Sequence, residues 1–154
     1  MRVMSLWRPW SFSIFHPSEN AKSIENRSWA PPIALIGQRI ALHDANKFDV
    51  SALRLFEQNG ITDFPQSYDA YPSGVIVGVV TIDRVVTEER TLTPMQKRWY
   101  FGEVGWVLSD ARRLSTPIAH KGGQGLRHLP EETTRAILEQ LGIEPTAAAI
   151  NGDP

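Results

Sequence analysis

Gly74-Val75-Ile76-Val77-Gly78-Val79-Val80-Thr81-Ile82-Asp83-Arg84-Val85-Val86 is the stretch that decides the fold. Its β-branched residues favour extended backbone, and its near-continuous hydrophobicity predicts a strand buried on both sides. Gly78 inside it marks a bulge or a bend. Downstream, Val104 to Asp110 reads as a second good strand, following Trp99-Tyr100-Phe101-Gly102. Upstream, Arg39 to His43 reads as a strand opened by Gly37, and Val3 to Trp7 is a short apolar stretch. Pro9 then suits the first turn of a short helix with Trp10, Ile14 and Phe15 on one face. His16-Pro17-Ser18-Glu19-Asn20 ends that helix, and Trp29-Ala30-Pro31-Pro32 forces another extended or turn segment.

Asp49 is an N-cap candidate for a helix over Val50–Gln58, stopped by Asn59-Gly60. Residues 60–73 have no clear period and read as a loop. A last helix is predicted from about Pro130 to Leu141, with Glu131 and Glu132 at the positive end of its dipole and Gly142 as its stop. The Ala-rich tail from Glu144 reads as frayed. No internal repeat or linker divides the chain. The expectation is one α+β domain over residues 1–142, with strands joined non-sequentially and short peripheral helices, and a short C-terminal tail over 143–154.

The composition narrows the chemistry. The 154 residues include no Cys, which excludes disulfides, thiolate zinc sites and Cys nucleophiles. Hydrophobic residues make up 42% and charged residues 21%, the balance of a folded domain rather than a disordered chain. No apolar run approaches the roughly 20 residues that span a bilayer. Arg2, Arg8 and Pro9 interrupt any signal-peptide pattern, so a cytoplasmic protein without a membrane partner is the default expectation. The net charge of −1 hides its own distribution. Residues 1–48 carry six basic and three acidic side chains (+3), and residues 49–96 carry three and seven (−4). Residues 97–135 carry seven and four (+3), and residues 136–154 carry three acidic side chains (−3). A fold that joins the first and third segments makes one positive face on a neutral molecule, which suits phosphates.

No GxSxG, HExxH, Walker loop or GxGxxG is present. His16, His43, His120 and His128 have no metal-ligand spacing, and neither a metal nor a cofactor is expected. The unusual segment is Lys22-Ser23-Ile24-Glu25-Asn26-Arg27-Ser28-Trp29. If it is extended, alternation puts Glu25 and Arg27 on one side and Lys22 on the other. If a turn intervenes, Lys22 and Glu25 converge on one pocket. The group offers cations for phosphate, a carboxylate for a base amino group and an indole for stacking. The same residues also fit a solvated surface strand with a Glu–Arg pair of little worth. Five tryptophans (Trp7, Trp10, Trp29, Trp99 and Trp106) supply core area, and one or two of them are available to line a base-stacking pocket.

Ser5-Leu6-Trp7-Arg8-Pro9-Trp10, the Lys22–Trp29 segment and Gly37-Gln38-Arg39-Ile40-Ala41-Leu42-His43 resemble the amino-terminal half of an ASCH domain. Gly102 to Arg112 and Lys121-Gly122-Gly123-Gln124-Gly125-Leu126 are similar to the second half of bacterial and phage members, so the likeness spans roughly residues 3–130. The family's Gly-x-Lys-x-x-x-x-Arg motif keeps Lys22 and Arg27, with Asn20 where glycine is usual. The resemblance implies a PUA-like β-barrel of about five to six mixed strands, with a cleft that accepts RNA or a modified nucleobase. Lys22 and Arg27 would line it, with Glu25, Trp29, His43 and Lys47 as neighbours. Lys121 would stand beside it, at the start of a glycine loop whose Gly122, Gly123 and Gly125 permit close approach to a ligand.

Some members are amidohydrolases of N4-acylated cytidine, with a Lys-x-x-Thr-x-Arg pattern; ribonuclease activity is associated with others. Glu25 occupies the threonine position here, and a carboxylate cannot replace a hydroxyl in an acyl-enzyme scheme. Three readings follow: a binding module for RNA or a modified nucleoside, a hydrolase with Lys22 and Glu25 as acid–base partners, or a protein-interaction domain.

Overall fold

A computed structural model describes residues 1–154. The decisive stretch forms β4 (Val75–Val86), within one six-stranded mixed sheet that also holds β1 (Arg2–Arg8), β2 (Ile24–Arg27), β3 (Arg39–Phe48), β5 (Val104–Ala119) and β6 (Leu126–His128). The strand order is β2-β5-β4-β3-β1-β6. β1 and β3 are parallel, and every other pair is antiparallel. Five short helices surround the sheet: α1 (Trp10–Ile14), α2 (Ser51–Gln58), α3 (Pro94–Arg98), α4 (Glu131–Gln140) and α5 (Ala147–Asn151).

The α+β class and the mixed six-stranded sheet agree with the sequence. The sheet is open rather than a closed barrel: β2 pairs only with β5, and β6 only with β1. Both edge strands are short, four and three residues, which leaves little ladder with which to bridge the gap.

Period-2 alternation explains the core. Val3 of β1, Ala41 of β3 and Val79 of β4 face a cluster that also takes Ile137 and Leu138 of α4. Met4 and Leu6, Ile40 and Leu42, and Val80 and Ile82 face the opposite cluster, completed by Trp106 and Leu108 of β5. β4 is thus buried on both sides, as its composition predicts. A third cluster holds Ile24 of β2, Ala52 and Phe56 of α2, Trp99 and Val107. At Gly78 the β4–β5 register shifts, and a Cβ there would lie 2.4 Å from Phe15 Cζ and 2.6 Å from the Arg112 carbonyl oxygen. Only glycine lets these groups approach so closely.

Other elements run past their sequence limits. β3 continues beyond His43 to Phe48 and β5 beyond Asp110 to Ala119, because pairing such as Asp44↔Val75 and Val75↔Ala119 carries polar residues that break the apolar pattern. The tail is folded rather than frayed. Thr146 caps α5 by accepting from the Ala149 amide, and Ala149 and Ile150 pack on the α4 side of the core. The Met1 ammonium donates to the Ile150 carbonyl, and the Arg39 amide donates to that of Gly152. Asp49 does serve the start of α2, its Oδ1 accepting from the Ser51 amide at 3.1 Å.

Candidate functional site

The Lys22–Trp29 segment has no turn between Lys22 and Glu25, yet those two side chains meet. Ile24–Arg27 is extended and pairs with β5, Glu25 opposite Trp106. Glu25 and Arg27 therefore share a side, and Arg27 Nε lies 3.1 Å from Glu25 Oε1. No turn separates Lys22 from the strand, and the Ser23 carbonyl already accepts from the Leu108 amide, so it is the long Lys22 side chain that reaches forward along the chain. Its Nζ donates to the Ile24 carbonyl and to Glu25 Oε2, the latter at 3.1 Å. One carboxylate thus takes two cations, one on each oxygen. Lys22 is 4% exposed and Glu25 7% exposed, so this is a buried network and not a solvated strand pair. Lys22 Nζ also sits 5.4 Å from the centre of the Trp10 ring.

The two ends of the motif serve different pockets. Lys22 and Glu25, with Trp10, Asn26 and Phe101, line a small pocket of about 160 Å³. Asn26 fixes its far wall, donating to the Trp99 carbonyl and accepting from the Phe101 amide at 2.8 Å. Asn20, at the glycine position of the motif, turns its side chain to the Gly60 carbonyl. Arg27 faces a much larger cleft of about 680 Å³, together with Ser5, Trp7, Trp29, Ala45 and the Gly122–Gly125 loop. Residues at the end of β2 and just before β6 form parts of its wall, so the cleft opens where the sheet fails to close.

The cleft joins the two basic segments of the chain. Ser5, Trp7 and Arg27 come from the first, and the glycine loop comes from the third. Arg127 ties the two together, donating to the Lys121 carbonyl at 3.1 Å and to Ser5 Oγ at 3.0 Å. Trp7 and Trp29 are 48% and 37% exposed, whereas Trp99 and Trp106 are fully buried. Trp29 packs edge-on against Trp106, whose indole donates to the Trp29 carbonyl. Lys47 Nζ lies 4.0 Å from the centre of the Trp7 ring, at the rim.

Beneath Ser5 lies His43, 1% exposed. Its Nε2 is 2.8 Å from the His120 carbonyl oxygen, and its Nδ1 is 2.9 Å from Ser5 Oγ. A carbonyl only accepts, so Nε2 carries the proton and Nδ1 accepts from the serine hydroxyl. Burial holds the ring below the ordinary histidine value; the bond to His120 opposes this, and His120 and Arg127 add to it.

Of the residues expected at one site, Arg27 and Trp29 line the large cleft, Lys47 reaches its rim through Trp7, and Lys121 is exposed beside the glycine loop. Lys22 and Glu25 line the second pocket, and His43 lies under the cleft floor. Ser5, Trp7 and Arg127 join the site without having been singled out for it. The spacing Ser5-x-Trp7 on a strand was the signal for the first two, because it sets both side chains on one face, whereas Arg127 carries no such local signal. No three His, Asp or Glu side chains converge into a metal-binding group, and no helix is long and apolar enough to cross a membrane.

The architecture is that of solved ASCH structures. The chain matches the crystal structure of ASCH from Zymomonas mobilis with a TM-score of 0.53 at 18% identity, over 90% of this chain and 93% of that one. A serine-to-alanine variant of the same Zymomonas protein matches with a TM-score of 0.51 at 18% identity, over 90% and 94%. No protein-family model and no curated protein matches the sequence.

Proposed function

We propose, starting from the ASCH fold, that the chain binds a nucleobase in the large cleft, either unpaired in RNA or as a modified nucleoside. The observation that carries this reading is the pair of half-exposed indoles, Trp7 and Trp29, in one cleft with Arg27 and a glycine loop. Indole faces stack bases, the guanidinium suits a phosphate or a base carbonyl, and backbone amides of the loop can meet polar base edges. Lys47 and Lys121 add positive charge at the margins.

Titration with single-stranded RNA and a panel of modified nucleosides tests this. Trp29→Ala is expected to weaken binding about tenfold or more, since a stacked base is worth ~1–3 kcal/mol. Arg27→Ala should weaken RNA binding and flatten its salt dependence. Absence of binding to every probe at low salt would overturn the reading.

A second reading keeps Lys22 and Glu25 as acid–base partners of a hydrolase acting on RNA or an N4-acylated cytidine. It is supported by their joint placement in the smaller pocket. Equal turnover by folded Lys22→Ala and wild-type protein would sink it.

A further inference from the structure

We propose that Ser5 is a nucleophile, with His43 as its general base, for acyl transfer from small carboxylic esters that carry a flat aromatic group. Ser5 and His43 are register partners on the parallel strands β1 and β3. That pairing sets the hydroxyl 2.9 Å from Nδ1, the nitrogen left unprotonated by the bond from Nε2 to His120. The His120 carbonyl holds the ring's tautomer and orientation, the task a carboxylate performs in a catalytic triad. Ser5 also lines the open cleft, so its oxygen can meet a ligand while the histidine stays shielded.

Two further donors converge on the same oxygen. Arg127 Nη2 lies 3.0 Å from Ser5 Oγ, and the Gly123 amide lies 3.4 Å from it. As Oγ bonds to an acyl carbon, these donors can pass to the oxygen that gains charge beside it, which is the role of an oxyanion hole. The glycines make the approach feasible. A Cβ on Gly122 would stand 2.7 Å from His43 Cε1 and 3.4 Å from Ser5 Oγ, and one on Gly123 would stand 2.9 Å from Arg127 Nε.

The step balances without a cofactor. Nδ1 takes the Oγ proton as the Oγ–C bond forms, and the carbonyl pair moves onto oxygen. Collapse breaks the bond from carbon to the leaving oxygen, and Nδ1 returns the proton to that oxygen. Water then repeats the sequence on the acyl-serine, releasing a carboxylic acid and restoring Ser5. A neutral carbonyl supports the imidazolium less than a carboxylate would, and Arg127 stands nearby. The site therefore suits esters with good leaving groups rather than amides. Trp7, two residues along the same strand face, and Trp29 supply surfaces for the flat group.

A fluorophosphonate probe tests the assignment on the intact protein, with mass spectrometry to locate the adduct. One equivalent on Ser5 is expected, none in Ser5→Ala, and at least a hundredfold slower labelling in His43→Gln, in the range typical of a lost general base. Labelling should keep its full rate down to below the ordinary histidine range, because burial, with the Arg127 charge adding to it, outweighs the bond to the His120 carbonyl and keeps His43 neutral. If Ser5 serves only to staple β1 to β3, the wild-type protein will carry no adduct there; that result overturns the proposal. Unchanged labelling in folded His43→Gln would overturn it too.

Discussion

Glu25→Ala is expected to destabilise the protein by about 3–5 kcal/mol, the usual cost of leaving a buried charge without its partner. Glu25 Oε2 accepts from Lys22 Nζ at 3.1 Å, and Oε1 forms an ion pair with Arg27, whose Nε is also 3.1 Å away. Removing the carboxylate leaves the Lys22 ammonium, 3% exposed at its side chain, with only the Ile24 carbonyl as a polar partner and the Trp10 ring nearby. The Arg27 side chain is 26% exposed and can turn toward water, so most of the loss falls on Lys22. A second substitution separates this cause from simple cavity formation. Lys22→Met in the Glu25→Ala background removes the stranded charge and should recover a large part of the loss. Denaturant unfolding of the two single variants and the double variant measures the coupling. Strictly additive losses would show that the network contributes no specific stability.

Asp44→Asn is expected to change the pH dependence of stability by nearly as much. Asp44 is 1% exposed; Ser11 Oγ donates to its Oδ2 at 2.9 Å, and Oδ1 has no partner. Burial pushes its carboxyl from 3.8 up to about 6, against the opposing effects of the Ser11 bond and the charges of Arg113 and Arg8. A raised folded value means that the folded state holds the proton more tightly than the unfolded chain. Stability from this group is therefore greatest below the unfolded value, falls as pH rises between about 4 and 6, and is fully lost above that window. A shift of roughly two units corresponds to about 3 kcal/mol. The stability of wild type relative to Asp44→Asn should thus fall by about 3 kcal/mol between acid and neutral pH. Unfolding curves for the pair across that range measure it, and a constant difference would contradict the burial of an ionisable Asp44.

The parts of the fold readable from sequence are those set by local pattern. β4 announced itself through continuous β-branched residues, and Gly78 through its place inside them. α4 was visible in its acidic first turn and closing glycine. The far ends of β3 and β5 were not visible, because Asp44 to Lys47 and Ala111 to Thr116 break the apolar pattern; Asp44, Arg112 and Arg113 are held by pairing with β4, and Phe48 by pairing with Arg8 of β1. The tail looked frayed because an Ala run carries no apolar stripe; its Thr146 cap is a local signal, and the contacts with Arg39 and Met1 that hold it depend on the tertiary fold.

The site divides in the same way. Convergence of Glu25 and Arg27 followed from spacing, since two residues along a strand share a side, whereas Lys22 joins them without a turn through the length of its side chain. That Lys22 is buried and faces a separate pocket from Arg27 depends on how β2 lies against β5. Ser5 and His43 are 38 residues apart, and only the parallel pairing of β1 with β3 makes them neighbours. The charge pattern was more informative than its total: the two basic segments meet across Ser5, Arg27, Lys121 and Arg127 around one cleft.

A crystal structure of the protein with the tightest-binding nucleoside of the panel tests the nucleobase reading most directly. The base should lie in the large cleft, in contact with Trp7 or Trp29 and within hydrogen-bond reach of Arg27 or the Gly122–Gly125 amides. A base seated instead in the small pocket beside Lys22, Glu25 and Phe101, or outside both pockets, would contradict it.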